Sequence, residues 1–455
     1  MSTRRGFLAQ MTGTAVLLAA GMTGCNSGSG GGNIKSAAAV TKVYGTGQKF
    51  IAVAVEYNSD IDTSKLSKTD FRVEGRTVVK VYGNTAADLA EQGRNGKYVI
   101  VELSPDDSSA LLWGGPSGSL PQQTSSASTT ATSATPSGNS GPQAGTTQGP
   151  AIIRAAKGIV TQTGAVTTTG GTVYAASSTN VATSTTVNLV VDEFKQFTYK
   201  DPKNGQILPY NLYTPANYDK RKSYPLVLFM HDASVVSTTP TATLVQGLGA
   251  VCWADAHDQA EREAFVLAPQ YPSIVIGDDY KPTGLFDTTA HLVEDLSKQY
   301  NIDTGRRYAT GQSMGAMMTL GLNIKYPDLF AASWVVAGQW PADQCAPLAT
   351  KKLWVTVSQG DTKAYPGENE IMDIIEQTGT RVSRAVWNGQ STTAEFAADA
   401  TALAAQGAPI NYSAFLKGTT LSPGETAPGG VEHTTTWPIA YTIEGIRAWI
   451  FQQHK

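Results

Sequence analysis

The sequence has little of several things. Three cysteines in 455 residues are too few to staple a small scaffold. Charged side chains are scarce, 16 % of the chain, and 34 Lys and Arg against 37 Asp and Glu leave a net charge of −3. No basic footprint exists, so no nucleic-acid partner is expected. Histidines number five, without a His-Glu-x-x-His pattern, a Cys/His cluster or a phosphate loop. No metal and no organic cofactor is therefore expected. Beyond the N-terminal segment no apolar run is long enough to span a bilayer. Between Asp107 and Arg154 there is no charged residue at all. That stretch is mostly Ser, Thr, Gly, Pro, Ala and Gln, and residues 114–150 read as a disordered insertion that cannot bury a core.

What is present begins with a processing segment. Arg4 and Arg5 are followed by Phe7 and Leu8, an apolar run over 15–20, and Met22-Thr23-Gly24-Cys25. Residues 1–25 resemble a twin-arginine export signal ending in a lipoprotein box, with Cys25 as the lipidated residue. Residues 26–39 read as a tether. The protein is then extracytoplasmic: exported, and either lipid-anchored or secreted, with the anchor as its only membrane contact. Cys252 and Cys345 remain, as a candidate disulfide or as two buried small apolar side chains.

Residues 40–192 read as an all-β domain. Runs at 50–57, 77–82 and 97–103 are short, β-branched and aromatic, and Gly, Asn and Asp separate them. The same signals resume at 151–153, 171–175 and 186–191, so the uncharged stretch lies inside this domain, which reads as a small sandwich.

From 193 to 455 the texture changes. Residues 197–199 and 208–213 suit an antiparallel pair. Residues 224–231, 264–267, 332–336 and 352–358 are continuous apolar runs, the mark of strands buried on both faces. Helical patterns lie between them, one with Asp287 as a candidate cap, others over 367–378 and 441–453. Strand and helix in alternation predict an α/β layer with a mostly parallel sheet and helices on both faces.

Within that layer Gly311-Gln312-Ser313-Met314-Gly315 reads as a nucleophile elbow. A strand-compatible run precedes it, and a helix-compatible run follows until Pro327. The turn strains the serine and crowds its neighbours, which is why glycine stands two positions to each side. In this arrangement the triad follows the chain order serine, acid, histidine. Only His433 and His454 follow Ser313, and His454 is penultimate, so His433 is the candidate base. Asp361 directly follows the run 353–357, at a strand end where catalytic groups gather, and is the candidate acid; Glu368 and Glu432 are its rivals. For an oxyanion the candidate backbone donors are Met314 and, in the loop after 224–230, Ala233. His231 precedes the serine and reads as a structural hydrogen-bonder. Tyr271, Tyr280, Trp340 and Trp437 are candidates for a pocket wall or for packing.

These residues carry a resemblance. From about Phe194 onward the chain is similar to secreted α/β-hydrolase esterases of the predicted-peptidase, polyhydroxybutyrate depolymerase and feruloyl esterase groups. The matching positions are 225–231, Ile302-Asp303 with Arg306, 310–315, 325–330, Gly360-Asp361, His433 and Trp437. The β region resembles the immunoglobulin-like domain that precedes some of them. His231-Asp232 departs from the His-Gly of many relatives. The resemblance implies a serine carboxylic-ester hydrolase with a Ser-Asp-His triad, acting without cofactor on a small-molecule or polymeric ester. A serine peptidase on the same fold, and a surface polymer-binding module with an inactive hydrolase half, are the competing readings. Acyl specificity and oligomeric state are not legible.

Overall fold

The computed structural model describes residues 33–116, 142–422, 424–426 and 431–455. The export signal, Cys25 and the middle of the uncharged stretch lie outside the described residues. A strand over Ile34–Tyr44 occupies the end of the segment expected as a tether over 26–39, and residues 26–32 lie outside the described residues.

The N-terminal unit is built of two sheets. Strands Ile34–Tyr44, Gly47–Ile61, Gly96–Leu103 and Val78–Asn84 lie side by side, with Thr185–Asn188 on the outer edge. Asn180–Ala182, Ile159–Gln162 and Phe71–Val73 form the second sheet. Alternation does the sorting: Val53 and Val55 point to the core shared with Phe71, Val73 and Val160, while Ala52 and Ala54 face the other side. Tyr57 donates to Gln162 Oε1 at 2.9 Å and ties one sheet to the other. This is the immunoglobulin-like domain of strands.

The ends of the uncharged stretch differ from expectation. Trp113–Pro116 pairs with Ala151–Ile153, and residues 142–148 lie on the C-terminal unit. Gly145 N donates to Ile274 O and Ile274 N to Thr146 O, both at 2.8 Å. The Ala151 N–H donates to the Ser237 hydroxyl at 2.9 Å. Too few large apolar side chains are present for a core of its own, but the backbone groups at these ends find partners in the neighbouring domain.

The C-terminal unit carries a nine-stranded sheet. In chain order its strands are β1 (Lys195–Lys200), β2 (Ile207–Tyr213), β3 (Tyr224–Met230), β4 (Phe265–Pro269), β5 (Ile302–Gln312), β6 (Ala332–Val336), β7 (Leu353–Ser358), β8 (Val382–Trp387) and β9 (Ile410–Phe415). Their order across the sheet is β1-β2-β4-β3-β5-β6-β7-β9-β8. Only β2 runs against the rest. The apolar run of β3 explains its central place. Leu226, Leu228 and Met230 pack under one helix layer, Val227 and Phe229 under the other. Burying each such side chain is worth about 1.5–3 kcal/mol.

On the first side lie α1 (Gly284–Gln299), α2 (Met314–Lys325) and α3 (Ala364–Gln377); on the second lie α4 (Thr393–Ala404) and, after α5 (Val431–Ala440), α6 (Glu444–Phe451). Asp287 does not cap α1. The helix starts after Thr283, and Asp287 instead pairs with Lys325 and Tyr326 across to α2. The helix expected over 441–453 is α6, which begins only at Glu444 after a turn; the separate α5, with Pro438 inside it, precedes that turn. No helix among the described residues is long and apolar enough to cross a membrane.

Of the two readings of Cys252 and Cys345, the disulfide is not formed. Both are free thiols buried in different core clusters, Cys252 beside Trp253 and Cys345 beside Leu348. Burial pushes each thiol up to about 12, so they serve as small apolar side chains.

Candidate active site

Ser313 stands between β5 and α2 with φ 52° and ψ −116°, a left-handed conformation rare for a residue with a side chain. Such strain costs on the order of 1–3 kcal/mol and persists only where surroundings enforce it. They do. The Ser313 N–H donates to Val336 O at 3.1 Å, and its carbonyl accepts from Met317 N at 2.9 Å. A Cβ on Gly315 would lie 1.9 Å from Met230 O, and one on Gly311 2.5 Å from the Gly315 backbone. The glycines are therefore needed for close backbone approach.

His433 is in the first turn of α5, and Asp361 follows β7. His433 Nε2 is 2.9 Å from Ser313 Oγ, and His433 Nδ1 is 2.5 Å from Asp361 Oδ2. The other oxygen of Asp361 accepts from the N–H groups of Lys363 (3.0 Å) and Ala364 (2.8 Å). Burial works to raise the Asp361 carboxyl, but the His433 contact and these two N–H groups outweigh it and hold the group below its ordinary value. An ionised acid on Nδ1–H leaves Nε2 as the acceptor facing the serine hydroxyl.

Met314 and Ala233 flank the same cavity as Ser313, Asp361 and His433. Neither backbone N–H is used in a turn, loop or cap hydrogen bond among the described residues. Asp232, the departure from His-Gly, turns its side chain into the protein. One oxygen accepts from Ser234 N at 2.9 Å, the other from Gln312 Nε2 at 2.9 Å. It thereby pins the Ala233 loop to the elbow. His231 is fully buried; Nδ1 donates to Asp232 O (2.7 Å) and Nε2 accepts from Tyr271 N (3.0 Å). Burial lowers its imidazole, which stays neutral and structural.

The cavity has a volume of about 420 Å³. Met314, Met317, Ile276 and Trp437 give it an apolar wall, and Trp437 stands edge-on to His433 with ring centroids 5.4 Å apart. Lys363 and Asp278 form an ion pair on its lining. Tyr271, Tyr280 and Trp340 do not line it: Tyr271 is buried on Thr289, and Tyr280 packs on Trp340. Pro142 does line it, and nothing in the sequence pointed there. Of the rival acids, Glu368 is buried against Gly338 N and Glu432 against Ser358, Gly418 and Thr420. Among the described residues no group of three or more His, Cys, Asp or Glu is arranged to hold a metal.

A strained serine at a strand-to-helix turn, with an aspartate after a later strand and a histidine in the first turn of a later helix, is the constellation of α/β-hydrolases. Residues 36–175 match the family described as the esterase immunoglobulin-like N-terminal domain, and residues 204–413 match the putative esterase family. The chain is similar to an acetylxylan esterase A of Emericella nidulans, 33 % identical over 107 residues, 20 % of this chain and 35 % of that protein. It is also similar to an acetylxylan esterase of Coprinopsis cinerea, 34 % identical over 146 residues, 29 % of this chain and 33 % of that protein. The chain thus spans about a third of the length of these curated relatives. The solved structure of a thermostable esterase shares the fold with TM-score 0.72 and 24 % identity, over 92 % of this chain and 100 % of that one.

Proposed function

We propose that this chain is a serine carboxylic-ester hydrolase working through an acyl-enzyme. The observation that carries it is the pair of contacts at His433, 2.9 Å to Ser313 Oγ and 2.5 Å to Asp361 Oδ2. Ser313 Oγ attacks the ester carbonyl carbon while His433 Nε2 takes the hydroxyl proton. The N–H groups of Met314 and Ala233 donate to the carbonyl oxygen as it becomes negative. Asp361 keeps the imidazole in the required tautomer and stabilises the imidazolium. When the tetrahedral species collapses, the bond to the alcohol breaks and His433 returns the proton to the departing oxygen. Water then gives its proton to His433 and attacks the acyl carbon, releasing the acid and restoring Ser313.

The apolar wall of Met314, Met317, Ile276 and Trp437 suits a short acyl group. The names of the curated relatives favour acetyl esters as first substrates. The N-terminal pattern supports export by the twin-arginine route and lipidation of Cys25, which mass spectrometry of the membrane-extracted protein tests.

The decisive experiment pairs a short p-nitrophenyl ester with a fluorophosphonate probe. The wild-type chain hydrolyses the ester and is labelled at Ser313; folded Ser313→Ala does neither. Activity retained in Ser313→Ala removes the serine from the mechanism, and a folded wild type that stays unlabelled and inactive points to a binding module.

A further inference from the structure

We propose that Glu432 is a positioning residue for His433. It rests on the triad reading above. Its buried carboxylate ties the first turn of α5 to the end of the strand that delivers Asp361. Oε2 of Glu432 accepts from Ser358 Oγ at 2.6 Å, Gly418 N at 3.0 Å and Thr420 Oγ1 at 3.3 Å. Ser358 is the last residue of β7, and its Oγ also accepts from Gly360 N at 3.1 Å. Gly360 directly precedes Asp361, and a Cβ there would lie 1.8 Å from Glu432 Oε1. The glycine therefore makes the space the carboxylate occupies. One helical turn on, Thr435 Oγ1 is 2.8 Å from Thr420 Oγ1, a second tie from α5 to the same loop.

The need for such a tie follows from the geometry of the base. Asp361 sets the tilt of the imidazole through one hydrogen bond, but one contact at the tip of a side chain does not fix the backbone that carries it. Nε2 must stay within hydrogen-bond reach of Ser313 Oγ, and small displacements at reacting atoms are costly in rate. Glu432 is the neighbour of His433 in sequence, and its side chain reaches Ser358 at the end of β7. Acid and base of the relay are so held to one strand end.

The test uses the full chain and a short p-nitrophenyl ester, on variants shown to be folded at the assay temperature. Glu432→Ala is expected to lower kcat by about 10- to 100-fold with KM within about threefold, the signature of a displaced base and not of weaker substrate binding. Glu432→Gln, whose amide oxygen accepts from the same donors, recovers most of that loss. Gly360→Ala displaces the carboxylate and gives the same defect, and the double variant Gly360→Ala with Glu432→Ala is no slower than Glu432→Ala alone. Should Glu432→Ala fail to fold, Ser358→Ala removes the shortest bond and is expected to lower kcat about three- to tenfold at constant KM. Folded variants with kcat within twofold of wild type, or losses that multiply in the double variant, overturn the positioning role while leaving the triad intact. A wild type without activity or probe labelling removes the triad reading and this one with it.

Discussion

Nε2 of His433 lies 2.9 Å from the hydroxyl of Ser313, although 120 positions separate the two residues. The sheet makes this contact. Strand β5 ends at the elbow, β7 two strands away ends at Ser358 just before Asp361, and α5 returns His433 over the same edge. Each loop on that edge contributes one group, and the predictions below probe how firmly each is held.

Asp361→Asn keeps the shape of the side chain but presents an amide to Nδ1, which favours the wrong imidazole tautomer. A fall in kcat of about 10⁴-fold is expected, with the protein still folded. The Asp361 carboxyl is held below its ordinary value near 3.8. Its stabilising contribution is therefore complete above that pH and lost as pH falls through the lower folded value. Urea midpoints of wild type and Asp361→Asn should differ most at neutral pH and converge in acid; a gap that stays constant contradicts the assignment.

Gly315→Ala puts a methyl group 1.9 Å from a backbone oxygen, Met230 O, which has no flexible end to yield. A loss of about 3 kcal/mol or more is expected, with activity abolished. Gly171 has φ +85° and open space around it, so Gly171→Ala should cost only about 1 kcal/mol. Thermal denaturation of the two variants side by side checks the contrast, and equal losses refute it.

Glu368 is buried, and burial drives its carboxyl well above the ordinary value near 4.5, against the pull of Gly338 N. Oε2 has no partner among the described residues. The unfolded chain ionises this group near 4.5, so its stability contribution is full below that pH and is lost as pH rises toward the folded value. Glu368→Gln keeps an acceptor for Gly338 N and removes the titration. Its urea midpoint should therefore gain on wild type as pH climbs above the ordinary value near 4.5; a flat difference would count against a buried neutral acid.

Cys252 and Cys345 are buried free thiols. A thiol reagent should modify neither in the native protein and both in denaturant. Peptide mapping without reductant should find no link between them. Rapid native labelling of either would mean that its cluster opens.

The order of elements, the turn at Ser313 with its glycines and the choice of Asp361 and His433 as the residues to meet Ser313 were legible in the residues themselves. Each depends on local physics: an apolar run long enough to be covered on both faces, a bend that excludes side chains, and a scarcity of histidine that left His433 and penultimate His454 as the candidate bases. Other features depend on what a segment meets after folding, which its own composition does not encode. Residues 142–148 carry no core-forming signal, yet their backbone groups bond to 274–278 and Pro142 reaches the cavity. Asp232 shows in sequence only as a departure from His-Gly, and it pins the Ala233 loop only because Gln312 faces it. Glu432 and Glu368 read as rivals to Asp361, since all three are acids near the right place. Only the packed sheet decides among them, because a carboxylate's partner is set by the few ångströms around it and not by its distance along the chain.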